Sequence, residues 1–389
     1  MATYKNIEEY RRKKKVKSFV RKTLILVALF AILFVLLYVL QIFKGSKLDE
    51  IITGTNDTEN EAFPLTIKNE QLLDIGNFGN RIAVLAKSNV LTYSMNGKKE
   101  STIMHGYTNP VMKEGNKRLL TYDRGGYKFR VDTHSGKVGE IALKNTIICA
   151  EIGTDGSVAV VTEQDQYASY NLLVYDSSLK ERYKFAAASD SNVTATFSTI
   201  SFSSDNNHLA ACAVTADSGI LSTYLYELDL TRQVDATVTL IPDLLPLDVS
   251  YKSDGNIAVV GKDSMVFVNS KTHKQVRDEH TGDLENFVSR TIDDTVVVNK
   301  NLFNSTATVS IFSSSGVKKA TCDIDDEVID SYCDGSRVLI LGKKAAYNFD
   351  MNLLQLNKID LSKSFSRVIY NGEYMFVMGA DTVEKYAID

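Results

Sequence analysis

From residue 63 onward, short apolar runs alternate with turn residues, and no stretch shows the longer period of an amphipathic helix. Eight of these runs resemble one another, and each follows a turn signal such as Gly79-Asn80 or Asp254-Gly255. Continuous apolar runs are typical of strands covered on both faces, so we interpret them as second strands of packed sheets. The runs are RIAVLA (Arg81–Ala86), KRLLTY (Lys117–Tyr122), SVAVVT (Ser157–Thr162), HLAACAV (His208–Val214), NIAVVG (Asn256–Gly261), TVVVN (Thr295–Asn299), RVLILG (Arg337–Gly342) and YMFVMG (Tyr374–Gly379).

The turns recur at positions 79, 115, 155, 205, 254, 294, 334 and 371, with spacings of 36 to 50 residues. Repeats of about 40–50 residues with several strands each are typical of β-propeller blades. A second repeated feature, such as YSMNGK (Tyr93–Lys98) or LVYDSSLK (Leu173–Lys180), predicts the hairpin between the third and fourth strands. The sequence therefore predicts an all-β, eight-bladed β-propeller over residues 63–389. Seven blades or a pair of β-sandwiches are the alternatives.

The two ends of the repeat region complement each other. The last unit supplies SFSRVIY (Ser364–Tyr370), YMFVMG and TVEKYAI (Thr382–Ile388), which is one strand short of a blade. Before the first unit lies an unassigned strand-like segment, FPLTIKN (Phe63–Asn69). Pairing this segment with the last blade would close the ring and remove its exposed edges.

The innermost strands line the axis of a propeller, so their residues decide what its channel can do. The candidate segments are mostly apolar or hydroxyl-bearing, which favours a binding role over catalysis. They are Leu72–Phe78, Thr146–Ile152, Phe197–Ser203, Leu247–Lys252, Phe287–Ile292 and Val328–Tyr332.

The segment Thr23–Phe43 contains 21 residues without a charge, enough for one helix to span a bilayer. A buried core helix or the shorter apolar region of a cleaved signal peptide fits this segment less well. Nine basic residues precede it, whereas only Lys44 and Lys47 follow closely, so we expect the N-terminus to be cytoplasmic. The predicted parts are a basic cytoplasmic tail (1–22), a transmembrane helix (23–43), a flexible linker (44–62) and an extracytoplasmic propeller (63–389).

Charge is distributed unevenly along the chain. Residues 1–43 carry a formal charge of +7 and the remainder −11, which together give the net −4. The basic tail can lie on anionic lipid headgroups, so the membrane is an expected partner. An acidic domain repels phosphate backbones, so we expect no nucleic-acid partner.

Residues that could carry chemistry are few and scattered. Cys149 and Cys212 lie in apolar runs and are interpreted as core residues, whereas Cys322 and Cys333 could form a disulfide or stay free. No cysteine or histidine spacing predicts a metal site, and the five histidines are expected to have surface roles. The acidic residues Asp323, Asp325, Asp326, Glu327 and Asp330 lack the spacing of a calcium loop and are interpreted as a solvated loop. Three glycosylation triplets, at Asn56, Asn192 and Asn304, matter only if the source glycosylates exported proteins.

The chain has no tryptophan, so the tryptophan motifs of quinoprotein, WD-repeat and sialidase propellers are all missing. Gly-x-Ser-x-Gly is also absent, which leaves a propeller-capped serine hydrolase unsupported. We therefore assign no catalytic, cofactor-binding or metal-ligating residue and expect no cofactor.

The basic tail YRRKKKVKSFVRK, the single span and elements such as DGSVAVV and DGNIAVV resemble an uncharacterised family of membrane-anchored, Trp-poor propeller proteins of Gram-positive bacteria. This resemblance implies no established activity and no site residues. The predicted ring is also similar, in architecture alone, to propeller scaffolds of bacterial envelope assembly. We expect a non-enzymatic platform at the outer face of the cytoplasmic membrane that binds an envelope protein or a wall polymer. The alternative is a glycan-active hydrolase or lyase with its site in the channel.

Overall fold

Eight four-stranded antiparallel sheets arranged as blades form the described part of the chain. The structure is a computed structural model and describes residues 63–163, 170–187, 196–217, 219–232, 234–291, 293–301 and 306–388. All 32 elements in these residues are β-strands. The predicted eight-bladed propeller is therefore confirmed, and the seven-bladed and sandwich alternatives are wrong.

Blades I to IV follow in chain order after a short first strand, β1 (Leu65–Thr66). Within each blade the strands run in sequence from the axis outward. Blade I contains β2 (Leu72–Phe78), β3 (Arg81–Ala86), β4 (Asn89–Ser94) and β5 (Lys99–Met104); blade II contains β6 (Pro110–Gly115), β7 (Arg118–Asp123), β8 (Lys128–Thr133) and β9 (Gly136–Ala142); blade III contains β10 (Ile147–Ile152), β11 (Val158–Thr162), β12 (Tyr170–Tyr175) and β13 (Glu181–Ala187); blade IV contains β14 (Thr196–Phe202), β15 (His208–Asp217), β16 (Ile220–Asp229) and β17 (Thr237–Pro242).

Blades V to VIII complete the ring. Blade V contains β18 (Pro246–Tyr251), β19 (Asn256–Gly261), β20 (Ser264–Asn269) and β21 (Gln275–Glu279); blade VI contains β22 (Asp283–Val288), β23 (Thr295–Lys300), β24 (Ala307–Phe312) and β25 (Lys318–Ile324); blade VII contains β26 (Val328–Cys333), β27 (Arg337–Gly342), β28 (Ala345–Asp350) and β29 (Gln355–Asp360); blade VIII contains β30 (Arg367–Tyr370), β31 (Tyr374–Met378) and β32 (Thr382–Ala387), followed by β1.

The eight apolar runs are the second strands, as predicted, and their burial explains their composition. In β27, Val338 and Ile340 pack into a cluster with blade VI, whereas Leu339 and Leu341 pack into a cluster with blade VIII. Eight such clusters occur, one between each pair of neighbouring blades. Because both faces of each second strand are covered, apolar residues follow one another without alternation.

The predicted closure of the ring is also confirmed. Strand β1 pairs antiparallel with β32, with Leu65 opposite Val383 and Thr66 opposite Thr382. The amide of Ile67 extends this pairing by donating to the carbonyl of Asp381 at 2.7 Å. The N-terminal end of the domain thus supplies the fourth strand of the C-terminal blade.

The inner strands differ from the prediction in two places. The structure adds β6, which the sequence does not single out, and it begins the inner strand of blade VI four residues before the predicted Phe287. The carbonyls of Ser289 and Thr291 accept hydrogen bonds from the Lys252 ammonium group, and pairing with β23 extends only from Asp283 to Val288. The inner strand therefore ends at Val288.

The predicted tail (1–22), span (23–43) and linker (44–62) lie outside the described residues. Among the described residues, no helix has the length and apolar character needed to cross a membrane. The transmembrane helix and its orientation stay predictions.

A candidate functional site in the charged central channel

Polar side chains occur at one recurring position of the inner strands. Six inner strands shift register near their start, and the residue after the shift is an acid or amide in four of them: Asp74, Asp248, Asn286 and Asp330. These side chains contact the neighbouring inner strand. The amide of Val368 donates to Asp330 at 2.9 Å, and the hydroxyl of Ser331 donates to Asn286 at 2.8 Å. A β-bulge redirects a side chain in this way and places polar groups around the axis.

Arg290 connects four blades across one half of the channel. Its Nε and Nη2 atoms donate to the Asp248 carboxylate at 3.0 and 2.7 Å, in a bidentate pair. Its Nη1 donates to Glu151 of blade III, and Nη2 also donates to the carbonyl of Ile200 at 3.1 Å. The Lys113 ammonium of blade II lies 3.7 Å from Glu151 and extends the network.

The charges of this network stabilise one another. Burial alone would raise the pKa of Asp248, but the adjacent Arg290 guanidinium holds it well below the usual range. Burial would likewise lower the pKa of Arg290, yet Asp248 and Glu151 raise it above its ordinary value. Both groups are therefore ionised throughout the neutral pH range. The Arg290 side chain is 32% exposed, so channel water still reaches part of the pair.

Lys252 fixes the backbone on either side of Arg290. It is almost fully buried, and its ammonium group donates to the carbonyls of Ser289, Thr291 and Asp294. Burial lowers the pKa of Lys252 to about 8, an effect that the charge of Asp294 opposes. A buried ammonium with three carbonyl partners has all its donors satisfied. Lys252 is thus a positioning residue for the Arg290 segment.

The other half of the channel is acidic, with Asp74, Glu114 and Asp330 on the inner strands of blades I, II and VII. Arg367 Nε lies 3.4 Å from Asp74 Oδ1. Desolvation by the surrounding groups raises the pKa of Glu114 to about 8 and that of Asp330 to about 6, and it also raises the pKa of Asp74, while the Glu114 side chain stays exposed to the channel. A Cβ atom at Gly76 would overlap the Glu114 carboxylate, so glycine leaves room for this side chain.

The two halves present carboxyl groups whose pKa values are shifted in opposite directions. The pKa of Asp248 is lowered by Arg290, whereas that of Glu114, which is exposed to the channel, is raised. The charge of Lys113 lowers the pKa of Asp74, Glu114 and Asp248, which places its ammonium within electrostatic reach of both halves. Such an arrangement can bind a polar or charged group, and divergent carboxyl pKa values also occur in acid–base sites. In the part of the chain that the structure describes, no group of three His, Cys, Asp or Glu residues is placed to hold a metal ion.

The channel is more charged than the sequence predicted. The candidate inner segments were expected to be mostly apolar or hydroxyl-bearing, but they include Asp74, Glu151 and Asp248, and Glu114 and Lys113 lie on the missed strand β6. Arg290 was inside a candidate segment, yet nothing in the sequence pointed to its two carboxylate partners 42 and 139 residues away. The available signal was a single acid in each of several apolar runs.

The acidic residues of 323–330 do not form one solvated loop. Asp326 is buried, and its carboxylate accepts hydrogen bonds from the amides of Lys344 and Ala345 at 2.9 and 3.1 Å. Asp330 lies in β26, in the acidic half of the channel. The interpretation as a solvated loop is therefore wrong for both residues.

The structure also shows the surroundings of the cysteines and histidines that the sequence analysis considered. All four cysteines are free, so Cys322 and Cys333 form no disulfide, and Cys212 is a buried core residue as predicted. His208 and His273 are exposed, whereas His105, His134 and His280 are partly buried beside backbone carbonyls. The asparagines of the three glycosylation triplets lie outside the described residues.

The comparisons with known proteins agree with this architecture. The model of a family of unknown function (DUF5711) matches residues 60–388. No curated protein matches the sequence.

Several solved propellers are similar in fold. Sqt1 of Chaetomium thermophilum, bound to the N-terminus of the ribosomal protein L10, is 12% identical with a TM-score of 0.57, over 85% of this chain and 100% of that one. BamB of Moraxella catarrhalis is 11% identical with a TM-score of 0.52, over 83% and 99%. Apo AztD of Citrobacter koseri is 10% identical with a TM-score of 0.51, over 82% and 90%. At these identities the likeness shows the fold alone.

Proposed function

Because the chain belongs to this family of unknown function (DUF5711), we propose a function from the ring itself: a membrane-anchored, extracytoplasmic binding platform of the cell envelope that holds a protein or a wall polymer. The observation that carries the proposal is the closed and internally paired ring. Each blade packs on both neighbours, β1 closes the circle, and Arg290 ties blades III to VI together. A rigid ring that presents many loops suits recognition without catalysis.

The location rests on the sequence. The uncharged segment Thr23–Phe43 and the nine basic residues before it support a single span with the propeller outside. The similar fold of Sqt1, which is bound there to the N-terminus of another protein, supports a protein partner by analogy. The excess of acidic residues in the domain argues against nucleic acid.

The channel entrance offers exposed apolar side chains for such a partner. Leu245 and Leu247 lie just before and within the inner strand β18, and their exposed fractions are 40% and 44%. Covering such exposed apolar side chains with a partner removes apolar surface from water and is favourable. We expect the partner to cover this entrance.

The test is crosslinking and affinity purification of the full-length protein from its native membrane, followed by mass spectrometry. The variant Leu245→Asp/Leu247→Asp should lose a stoichiometric partner. The matched control Leu354→Asp/Leu356→Asp changes two exposed leucines beside and within the outer strand β29 and should retain it. If repeated purifications recover no enriched protein and the isolated membrane binds no wall polymer, the platform is ruled out.

A second candidate function is supported by the opposite pKa shifts in the channel. In a glycan hydrolase or lyase the acid has a raised pKa and the base or nucleophile a lowered one, and Glu114 on blade II and Asp248 on blade V differ in this direction. Incubation of the protein with purified wall glycan would then release shorter products. Glu114→Gln should lower that rate by roughly 100-fold or more, the usual contribution of a general acid. Equal product release by the variant and the wild type would exclude this role.

A further inference from the structure

A cleft lies away from the channel, between the closing strand β1 and the outer strands of blade I, and its volume is about 610 Å³. Strand β1 has two residues, whereas the outer strands of the other seven blades have five to seven. The space beside β1 is therefore less filled than the space beside a full outer strand. The lining of this closing-strand cleft includes Thr66, Lys68, Leu91, Tyr93, Lys99 and Thr102.

One edge of β1 carries main-chain groups that no strand uses. Leu65 is paired opposite Val383, and the amide of Ile67 donates to the carbonyl of Asp381 at 2.7 Å, so both residues direct their main chain toward β32. Because successive residues of a strand direct these groups to opposite sides, the N–H and C=O groups of Thr66 point away from β32. Strand β1 is the last strand of its sheet in the described part of the chain. The Thr66 edge can therefore pair with a further strand.

The outer strand β17 shows how such an edge is covered elsewhere in the ring. The Gln275 side chain of blade V donates to the carbonyl of Leu240 at 2.9 Å, and Arg277 donates to the carbonyl of Pro242. Within the residues that the structure describes, no side chain makes such a bond to the main chain of Thr66. The edge of β1 is thus open where that of β17 is covered.

The opposite wall of the cleft is a face of blade I. Leu91 of β4 shares a cluster with Leu65 of β1, and Thr102 of β5 is paired opposite Leu91. Strand β25 packs on the third strand of the next blade in the same way, since Ile324 and Tyr347 share a cluster. A strand added beyond β1 would therefore lie over β5, where Thr102 is exposed.

Size and charge select the occupant. A strand residue takes up about 160 Å³, given a rise of about 3.3 Å, a strand spacing of about 4.8 Å and a sheet spacing of about 10 Å, so the cleft has room for about four residues. Lys68 and Lys99 are exposed at its edge, and neither has an acidic partner among the described side chains. The cleft also contains Glu70, whose carboxylate accepts from the amide of Asn89 at 2.7 Å. Two free ammonium groups against one carboxylate favour an acidic occupant.

We propose that the closing-strand cleft binds an extended acidic segment of a partner protein, which adds to β1 as a fifth strand of blade VIII. Its main chain bonds to Thr66, and its carboxylates pair with Lys68 and Lys99. The shortness of β1 and the charge of Lys68 disfavour pairing with long or basic strands. The site uses no channel residue and does not rest on a partner at the channel entrance. A failure of this proposal therefore leaves the affinity purification unaffected.

The probe is the fluorescein-labelled peptide Glu-Val-Glu-Val-Glu-Val, titrated with the full-length protein in detergent and followed by fluorescence polarisation. It should bind saturably. The same peptide with lysine in place of glutamate tests the charge and should bind at least tenfold more weakly. Two versions of the glutamate peptide, N-methylated at one or the other set of alternate residues, test the main-chain pairing without any change to the protein. One of the two should lose at least tenfold in affinity.

Charge reversal on the protein tests the same contact from the other side. Lys68→Glu/Lys99→Glu should weaken binding of the glutamate peptide at least tenfold and should strengthen binding of the lysine peptide. The matched control Lys144→Glu/Lys184→Glu changes two exposed lysines on or beside blade III. It should bind both peptides within twofold of the wild type.

Thr102→Trp places a large side chain in the cleft from an exposed position and should also weaken binding at least tenfold. Thr237→Trp, at an exposed position of β17, should not. The proposal is overturned by no saturable binding of the glutamate peptide, by equal binding of both N-methylated peptides and the parent, or by unchanged binding to Thr102→Trp. Binding that requires removal of the residues before Phe63 would assign the cleft to the chain's own segment, and a dimer that Thr102→Trp dissociates would assign it to a second copy. Either result would also overturn it.

Discussion

At the scale of single residues, Arg290 has the largest expected effect on stability. Replacement by methionine would leave Asp248 and Glu151 without their common counter-ion, and both carboxylates are mostly buried. Breaking a buried pair in this way costs about 3 kcal/mol of unfolding free energy or somewhat less, since channel water reaches Arg290. Urea unfolding would measure this loss.

Arg232 is the control for this substitution. Its side chain is 77% exposed and lies 4.0 Å from Asp229, a surface pair of little energetic weight. Arg232→Met should change stability by less than about 0.5 kcal/mol. Equal effects of the two substitutions would show that the channel network does not stabilise the ring.

Titration of Glu114 should make the stability of the folded protein decrease as the pH rises. Desolvation by the channel groups raises the folded-state pKa of Glu114 to about 8 from the ordinary value of 4.5, although the side chain stays exposed, so between these pH values we expect the folded protein to bind more protons at this site than the unfolded chain. Stability should then fall as the pH rises from about 4.5 to 8. Glu114→Gln removes this titration and should flatten the profile. The measurement is Tm against pH for both proteins, and parallel profiles would contradict the assignment.

At the scale of strands, the two-residue strand β1 holds the ring closed. Leu65 is 5% exposed and belongs to the cluster between blades VIII and I. Leu65→Ala should lower the unfolding free energy by about 3 kcal/mol, within the range for buried leucines. Leu356→Ala, at a position 51% exposed on β29, should have almost no effect. A similar loss for both variants in urea unfolding would mean that closure does not limit stability.

All second strands and most inner strands were predictable from the sequence, whereas the inner strand of blade II was missed and that of blade VI was misplaced, and the reason is physical. The second strand β27 is covered on both faces, so its residues must all be apolar and the pattern is visible locally. The inner strand β22 is followed by a segment whose carbonyls bond to Lys252 of the preceding blade, and no local pattern shows this contact. The Arg290 network is likewise non-local, since its partners come from blades III and V. Only a three-dimensional arrangement reveals such contacts.

At the scale of the whole molecule, blade number and closure were predictable because repetition amplifies a weak local signal. One apolar run could be a strand of any fold, but eight runs at a regular spacing fit few architectures. The missing fourth strand of blade VIII and the spare strand at Leu65 then determined how the ring closes. The channel residues left a weaker signal, a single acid in each of several apolar runs, which does not show how the two charged halves are arranged.

Membrane topology is the remaining whole-molecule prediction. It can be tested by thiol labelling, because the four native cysteines are partly or fully buried. Burial raises the pKa of Cys149 to about 12 and those of Cys322 and Cys333 to about 11, and it raises that of Cys212 as well. Because the thiolate is the reactive form, these native thiols should react slowly with maleimides at neutral pH. An introduced exposed cysteine would therefore report its own position.

A membrane-impermeant maleimide applied to intact cells should label Ser46→Cys, which follows the predicted span, and should not label Ala2→Cys until the cells are lysed. Ser315→Cys lies on an exposed hairpin of blade VI and should behave like Ser46→Cys, since the whole propeller is expected outside. Labelling of Ala2→Cys in intact cells would reverse the orientation. Protection of Ser315→Cys would place the propeller inside the cell, where it could meet neither a wall polymer nor an envelope protein beyond the membrane.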